Sequence, residues 1–285
     1  MSDDGTVAEA LAKATRSLKA SGIPDPARDA RWLMADALGV ETSGVAVRLR
    51  DPLPPDAGET FSSHVAARMA REPVSRIVGG RLFYGRWIAN SPFVLDPRPE
   101  TELLIDLALS EPFAKILDLG TGSGCIALTL LAERPGAVAV ATDISPDALE
   151  TAAINAVSWT VADRVQFEVS DWFEAVEGTF DLIVSNPPYI HPDELPALAP
   201  EVSRFDPEIA LTDNLDGLSA YRRIAARAPG HLKPDGRLMV EIGPTQGEAV
   251  AQMFRNAGLE NISITPDLDG RDRVVSARKS DAPDP

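Results

Sequence analysis

Val7, Leu11, Ala14 and Leu18 recur three and four residues apart, which puts them on one face of a helix that Gly22 ends. Asp25 followed by Pro26 reads as an N-cap with proline in the first turn, and Ala30, Leu33, Ala37 and Leu38 carry a second apolar face up to Gly39. After the stiff connector Asp51-Pro52-Leu53-Pro54-Pro55, the trio Phe61, Val65 and Met69 predicts a third helix. The period then changes. Arg76–Gly80 and Arg86–Ile88 predict two short strands around a turn. From Lys115 onward strands and helices alternate. Lys115–Leu119, Ala137–Thr142, Val165–Val169, Leu182–Val184 and Leu238–Ile242 predict strands, and Ile262–Thr265 and Arg273–Ala277 close the chain as two more. Helices are expected over Cys125–Glu133, from Ser145-Pro146 to about Ala156, and over Leu218–Ala228 and Glu248–Asn256. This order predicts an α/β domain: a mostly parallel, seven-stranded, Rossmann-like sheet covered on both faces, preceded by a small helical bundle. The expected division is 1–72 helical, 73–97 a hairpin linker and 98–285 the α/β domain, with Ser280–Pro285 a disordered tail.

Length agrees, since 285 residues at roughly 150 per domain suggest about two domains. The single cysteine excludes an internal disulfide and a multi-cysteine zinc site. His64, His191 and His231 are scattered without ligand spacing, so no metal site is expected. A net charge of −16 repels phosphate backbones, and direct nucleic-acid binding is not expected. The acidic start Met1–Gly5 lacks the basic and apolar regions of a signal peptide, and no run of about 18 apolar residues occurs. A cytoplasmic protein without a membrane segment is the expectation.

Chemistry first enters at Leu117-Asp118-Leu119-Gly120-Thr121-Gly122-Ser123-Gly124, between the first long strand and its helix. No lysine follows, which excludes a Walker loop, and Cys125 stands where the dinucleotide fingerprint needs glycine. The remaining Gly-x-Gly-x-Gly pattern suits a ligand without a pyrophosphate, pressed against the backbone. Asp143 ends the next strand, where a carboxylate can accept both ribose hydroxyls. Asp171 and Trp172 follow the third, where they can take an adenine amino group and pack on its ring, although an indole serves equally as core. A backbone cradle, a ribose clamp and an adenine slot at successive strand ends fit S-adenosyl-L-methionine.

The fourth strand runs into Asn186-Pro187-Pro188-Tyr189. Each proline forces extended geometry on the residue before it and offers no N–H. The Asn186 side-chain oxygen and the Pro187 carbonyl can therefore both face a pocket as acceptors. Two acceptors suit a planar –NH2 group, with Tyr189 stacked on its flat face. An amide nitrogen is a poor nucleophile because its lone pair is delocalised, and acceptors on its hydrogens oppose that delocalisation.

These motifs together resemble the class I S-adenosylmethionine-dependent methyltransferases that act on exocyclic amino groups. A longer set resembles the HemK/PrmC family: Pro73–Gly79, Phe83-Tyr84-Gly85, Pro97-Arg98-Pro99-Glu100-Thr101-Glu102, Asp171-Trp172-Phe173, Gln246-Gly247-Glu248 and Asp269–Val274. The resemblance implies transfer of a methyl group to the glutamine N5 of the Gly-Gly-Gln motif in class 1 peptide chain release factors. It implies a catalytic domain over 98–285 and an N-terminal domain that docks the substrate protein. Gly120, Thr121, Gly122, Ser123, Gly124, Asp143, Asp171, Trp172 and Asn186 would bind the cofactor, and Asn186, Pro187, Pro188 and Tyr189 the substrate amide, with Asn186, Pro187 and Tyr189 catalytic. One departure is Asp96, where an apolar residue is expected. Glu100 reads either as a pocket residue or as a complement to a helix dipole. The alternatives inside the enzyme class are a ribosomal-protein glutamine methylase and an adenine-N6 nucleic-acid methylase. The oligomeric state is not legible.

Overall fold

The computed structural model describes residues 5–280; the acidic start at 1–4 and the expected tail beyond Ser280 lie outside them. The chain forms two units, one of Met1–Arg81 with Ala199–Phe205, the other of Leu82–Leu198 with Asp206–Pro285.

In the first unit α1 (Val7–Ala20) begins with a capping box, in which Thr6 Oγ1 accepts from Glu9 N–H while Glu9 Oε2 accepts from Thr6 N–H. Asp25 caps α2 (Pro26–Ala37) as expected, accepting from Arg28 N–H. Val7, Ala14, Leu18, Ala30, Leu33, Val45 and Phe61 build its core. Val45 comes from α3 (Thr42–Val47), a six-residue helix too short for its period to show. In α4 (Pro55–Met69) Phe61 is buried but Met69 is exposed, so the expected face does not reach the end of that helix. Arg68, 6% exposed, donates to Asp29 Oδ2 at 2.7 Å and to Glu201 Oε1 at 3.0 Å. The segment 199–205 is thereby tied to α2 and α4.

The strand expected at Arg76–Gly80 is not formed. Val74–Ile77 is the short helix α5, and the hairpin pairs β1 (Gly80–Phe83) with β2 (Arg86–Ala89). Helix α6 (Thr101–Leu109) leads into β3 (Lys115–Leu119), followed by α7 (Cys125–Glu133), β4 (Val138–Asp143), α8 (Pro146–Ser158), β5 (Val165–Val169) and β6 (Phe180–Ser185). After α9 (Pro200–Ser203) in the first unit come α10 (Ser219–His231), β7 (Leu232–Glu241), α11 (Gly247–Asn256), β8 (Leu259–Pro266) and β9 (Asp272–Lys279). The seven-stranded sheet has the order β5-β4-β3-β6-β7-β9-β8. Its first five strands are parallel, and β9 runs antiparallel to both neighbours.

Alternation along the strands feeds two cores. Ile116, Leu182 and Val184 face α6 and α7, whereas Leu117, Leu119 and Ile183 face α10 and α11. Burial on both faces explains why these strands are nearly continuous apolar runs. The chain steps from β3 outward to β4 and β5, then returns to β6 on the other side of β3. Beyond the carboxyl ends at such a reversal, loops diverge and leave a crevice.

Candidate active site

A cleft of about 760 Å³ opens at that reversal. Gly120, Thr121, Gly122 and Ser123 line it from the end of β3, Asp143 from β4, Asp171 and Trp172 from β5, and Asn186 and Pro188 from β6. Of the residues expected from the sequence, Gly124, Pro187 and Tyr189 do not line it. A second cleft, of about 580 Å³, by Lys115 and Val138 at the opposite ends of the strands, is lined by none of these residues.

Gly122 shows why the loop is glycine-rich. Its φ of +56° is left-handed, and its N–H donates to Asp143 Oδ2 at 2.9 Å. A Cβ on Gly120 or Gly122 would meet no protein atom within 4 Å, so their missing side chains leave a recess in the cleft wall. Gly124 serves packing instead: its Cβ would lie 2.8 Å from Leu128 Cδ1. Under the loop, the buried Asp118 accepts from Thr121 Oγ1 at 2.7 Å and Ala127 N–H at 3.2 Å. Burial pushes its carboxyl up to about 7 against those two hydrogen bonds. Folded Asp118 thus keeps its proton to a higher pH than unfolded Asp118. Its contribution is complete in acid and is lost as pH rises through about 7. An Asp118→Asn variant should show a smaller fall in unfolding free energy between pH 5 and 7.5 than the parent, read by denaturant titration.

Asp143 is set in place by its own backbone surroundings, Oδ1 accepting from Ser145 N–H at 3.0 Å and Oδ2 from Gly122 N–H. Each oxygen keeps a lone pair for a diol. Burial raises its pKa, opposed by the N–H groups of Ser145, Gly122 and Ile144. On the next wall Trp172 has φ +57°, and Ser170 Oγ holds that bend by donating to Trp172 C=O at 2.9 Å. Asp171 Oδ2 accepts from Arg223 at 2.7 Å, a partner the sequence pattern does not reveal.

Asn186 Nδ2 donates to Thr101 Oγ1 at 3.3 Å, and Thr101 donates to Glu241 Oε2 at 2.6 Å. Asn186 Oδ1 takes no hydrogen bond from the described residues. Pro187 is buried and Tyr189 half-buried. Tyr189 packs against the α10/α11 core, and burial pushes its phenol up to about 12, so it stays neutral. Gln246 ties this turn to its neighbours: Nε2 donates to the carbonyls of Tyr189 at 3.0 Å and Gly217 at 3.1 Å, while Oε1 accepts from Gly243 N–H. Cys125 also lines the cleft, but burial drives its thiol up to about 12, which excludes a thiolate nucleophile near neutral pH.

Several liners lack a sequence motif. Phe93, Ile144, Ile209 and Leu215 reach the cleft and remain exposed. Arg98, from the Pro97–Glu102 set, lines it too and pairs with Asp206 at 2.5 Å. Asp96, the odd acid of its segment, is buried and accepts from Asn90 Nδ2 at 3.1 Å. Glu100 does not line the cleft; it occupies the N-cap position of α6.

Recess, diol acceptor and flanking indole fit the parts of S-adenosylmethionine, a nucleoside without phosphate. Among the described residues, no helix is long and apolar enough to cross a membrane. Comparison with known proteins gives the same direction. Residues 9–79 match the family model described as the PrmC N-terminal domain, and residues 96–199 the methyltransferase small domain. The chain is 56% identical over 271 residues to a release factor glutamine methyltransferase of Cereibacter sphaeroides, covering 95% of this chain and 98% of that protein. A release factor glutamine methyltransferase of Rhodospirillum rubrum is 45% identical over 265 residues, 92% of this chain and 82% of its own. Among solved structures, a methyltransferase from Pyrococcus furiosus superimposes with a TM-score of 0.53 at 17% identity, over 70% of this chain and 91% of that one. That likeness shows the fold.

Proposed function

The chain belongs to the release factor glutamine methyltransferase family, and on that footing we propose that it transfers a methyl group from S-adenosyl-L-methionine to the side-chain amide nitrogen, N5, of a release-factor glutamine. The glutamine is that of the Gly-Gly-Gln motif in class 1 factors, and the setting is cytoplasmic. The observation that carries this reading is the Asn186 side chain, fixed just past the end of β6 beside the cleft with its nitrogen turned onto Thr101 and its oxygen taking no hydrogen bond from the described residues.

When bound, S-adenosylmethionine supplies an electrophilic methyl carbon on a sulfonium sulfur. Gly120, Thr121, Gly122 and Ser123 cradle its amino-acid part, Asp143 accepts from the ribose hydroxyls, and Asp171 and Trp172 flank the adenine. Gly124 keeps the turn into α7 tight. Asn186 Oδ1 accepts one amide hydrogen of the substrate glutamine, and the carbonyl of Pro187, a residue buried behind the cleft wall, would accept the other. Both acceptors draw electron density back toward nitrogen, so no titrating base has to act beforehand and the proton leaves afterwards. Pro188 lines the cleft and keeps the turn extended, and Tyr189, packed against the α10/α11 core, holds that turn from behind. Positioning of this kind is worth up to roughly 7–11 kcal/mol when the reacting atoms are held at near-attack distance. The N-terminal helical domain docks the release factor. The net charge of −16 favours a protein over a nucleic-acid substrate.

Incubation with a purified class 1 release factor and isotopically labelled cofactor, followed by mass mapping, should place one methyl group on that glutamine. Label on an adenine of duplex DNA, or on a ribosomal protein alone, would reject the assignment. For Asp143→Ala we expect cofactor affinity to fall about 10–100-fold in calorimetric titration, the value of one or two hydrogen bonds to a charged acceptor. Unchanged affinity would remove Asp143 from the ribose.

A further inference from the structure

Thr101 and Glu241 lie 140 positions apart, yet each is 1% exposed and they meet beside Asn186. Thr101 comes from the first turn of α6, Glu241 from the last residue of β7 and Asn186 from just beyond β6. We propose that Thr101, held by Glu241, is a positioning residue that selects which end of the Asn186 amide faces the substrate.

A threonine hydroxyl has one proton. With Glu241 ionised it is spent on Glu241 Oε2 at 2.6 Å, so toward Asn186 Oγ1 accepts. The group opposite must then be a donor, and Nδ2 at 3.3 Å satisfies it. Rotation by 180° would set the Asn186 oxygen against a lone pair and turn its –NH2 to the cleft. There it would meet the –NH2 of the substrate amide, donor against donor, and the acceptor pair would be broken. Glu241 is itself anchored, because Tyr221 Oη donates to its backbone carbonyl at 2.9 Å from α10. Three elements thus converge on one amide orientation. The inference rests on the proposed glutamine chemistry for its catalytic consequence, though the orientation itself does not depend on it.

Thr101→Val keeps the shape and removes the acceptor. The orphaned Asn186 nitrogen gains by turning toward the open cleft, so kcat should fall about 10–100-fold while cofactor affinity stays within about twofold. Thr101→Ser keeps the hydroxyl and should restore kcat to within about threefold. If the valine variant fails to fold with an unpaired Glu241 beneath it, Thr101→Val with Glu241→Met removes both polar groups and should show the same loss of kcat. In an Asn186→Ala background Thr101→Val should cost less than twofold, whereas a merely structural role would cost the same in both backgrounds. The 15N–1H signals of the Asn186 side chain, read without substrate, should shift in the valine variant and stay in place in the serine one. Unmoved signals in the valine variant, or equal losses in both backgrounds, would overturn the proposal. Should wild-type enzyme leave release factors unmethylated while those signals still follow Thr101, the glutamine assignment fails and the positioning stands.

Discussion

Asn186→Ala should lower turnover on a release factor by roughly two to three orders of magnitude, the usual cost of one preorganised polar contact aimed at the reacting group. The truncation removes Oδ1, the acceptor left free at the cleft, and leaves the fold of β6 untouched, because Asn186 lies beyond the last residue of that strand. Cofactor affinity should change far less, since the glycine loop and Asp143 stay in place. The separation is measurable: single-turnover methylation reads the chemistry and calorimetry reads the cofactor. A variant that turns over at near wild-type rate would show that the amide is held by other groups. A variant that loses cofactor affinity in the same proportion would move Asn186 from the substrate side of the cleft to the cofactor side.

Gly217→Ala should be the most damaging single methyl group near the site. Gly217 has φ +69°, a left-handed conformation that costs alanine roughly 1–2 kcal/mol. Its Cβ would stand 2.4 Å from the Tyr189 carbonyl oxygen, a backbone atom that no side-chain rotation can clear. Overpacking of that kind costs about 1–3 kcal/mol. Together the expected loss is roughly 2–5 kcal/mol by thermal or denaturant unfolding. The same displacement breaks the shared clasp, because Gln246 Nε2 donates to the carbonyls of both Tyr189 and Gly217. Turnover should therefore drop even at temperatures where the variant is fully folded. Unaltered stability would mean that the 214–218 loop yields freely, and that the turn after β6 is not braced by it.

How much of this could be read from the chain depends on how local each feature is. The glycine loop, Asp143 and Asn186 were legible because a strand end, a turn and the residue that follows are neighbours in sequence. The caps at Asp25 and Ser145 were legible for the same reason. Met69 shares a helical face with Phe61 yet is exposed, because spacing says which residues share a face, not how far the neighbouring core extends. Arg76–Gly80 reads as a strand, although the helix Val74–Ile77 ends inside it, because a short run with two β-branched residues carries no period. The apolar run Leu238–Ile242 marks only the second half of β7, which begins at Leu232 with a register shift against β6 between Phe180 and Leu182. The Thr101–Glu241 contact could not be foreseen, because it needs the register of β7 and the start of α6 at once. Arg223 beside Asp171 is another meeting of distant segments that no local pattern encodes.

Residues 199–205 give the first unit a history in time as well as a shape. During synthesis, everything up to Arg81 leaves the ribosome while Glu201, an acceptor for buried Arg68, is still untranslated. At roughly 5–20 residues per second the wait is about 6–25 s. Until then Arg68 has Asp29 and the Glu72 carbonyl but not its second carboxylate. The helical unit is thus born unfinished and locks only when most of the α/β unit has emerged.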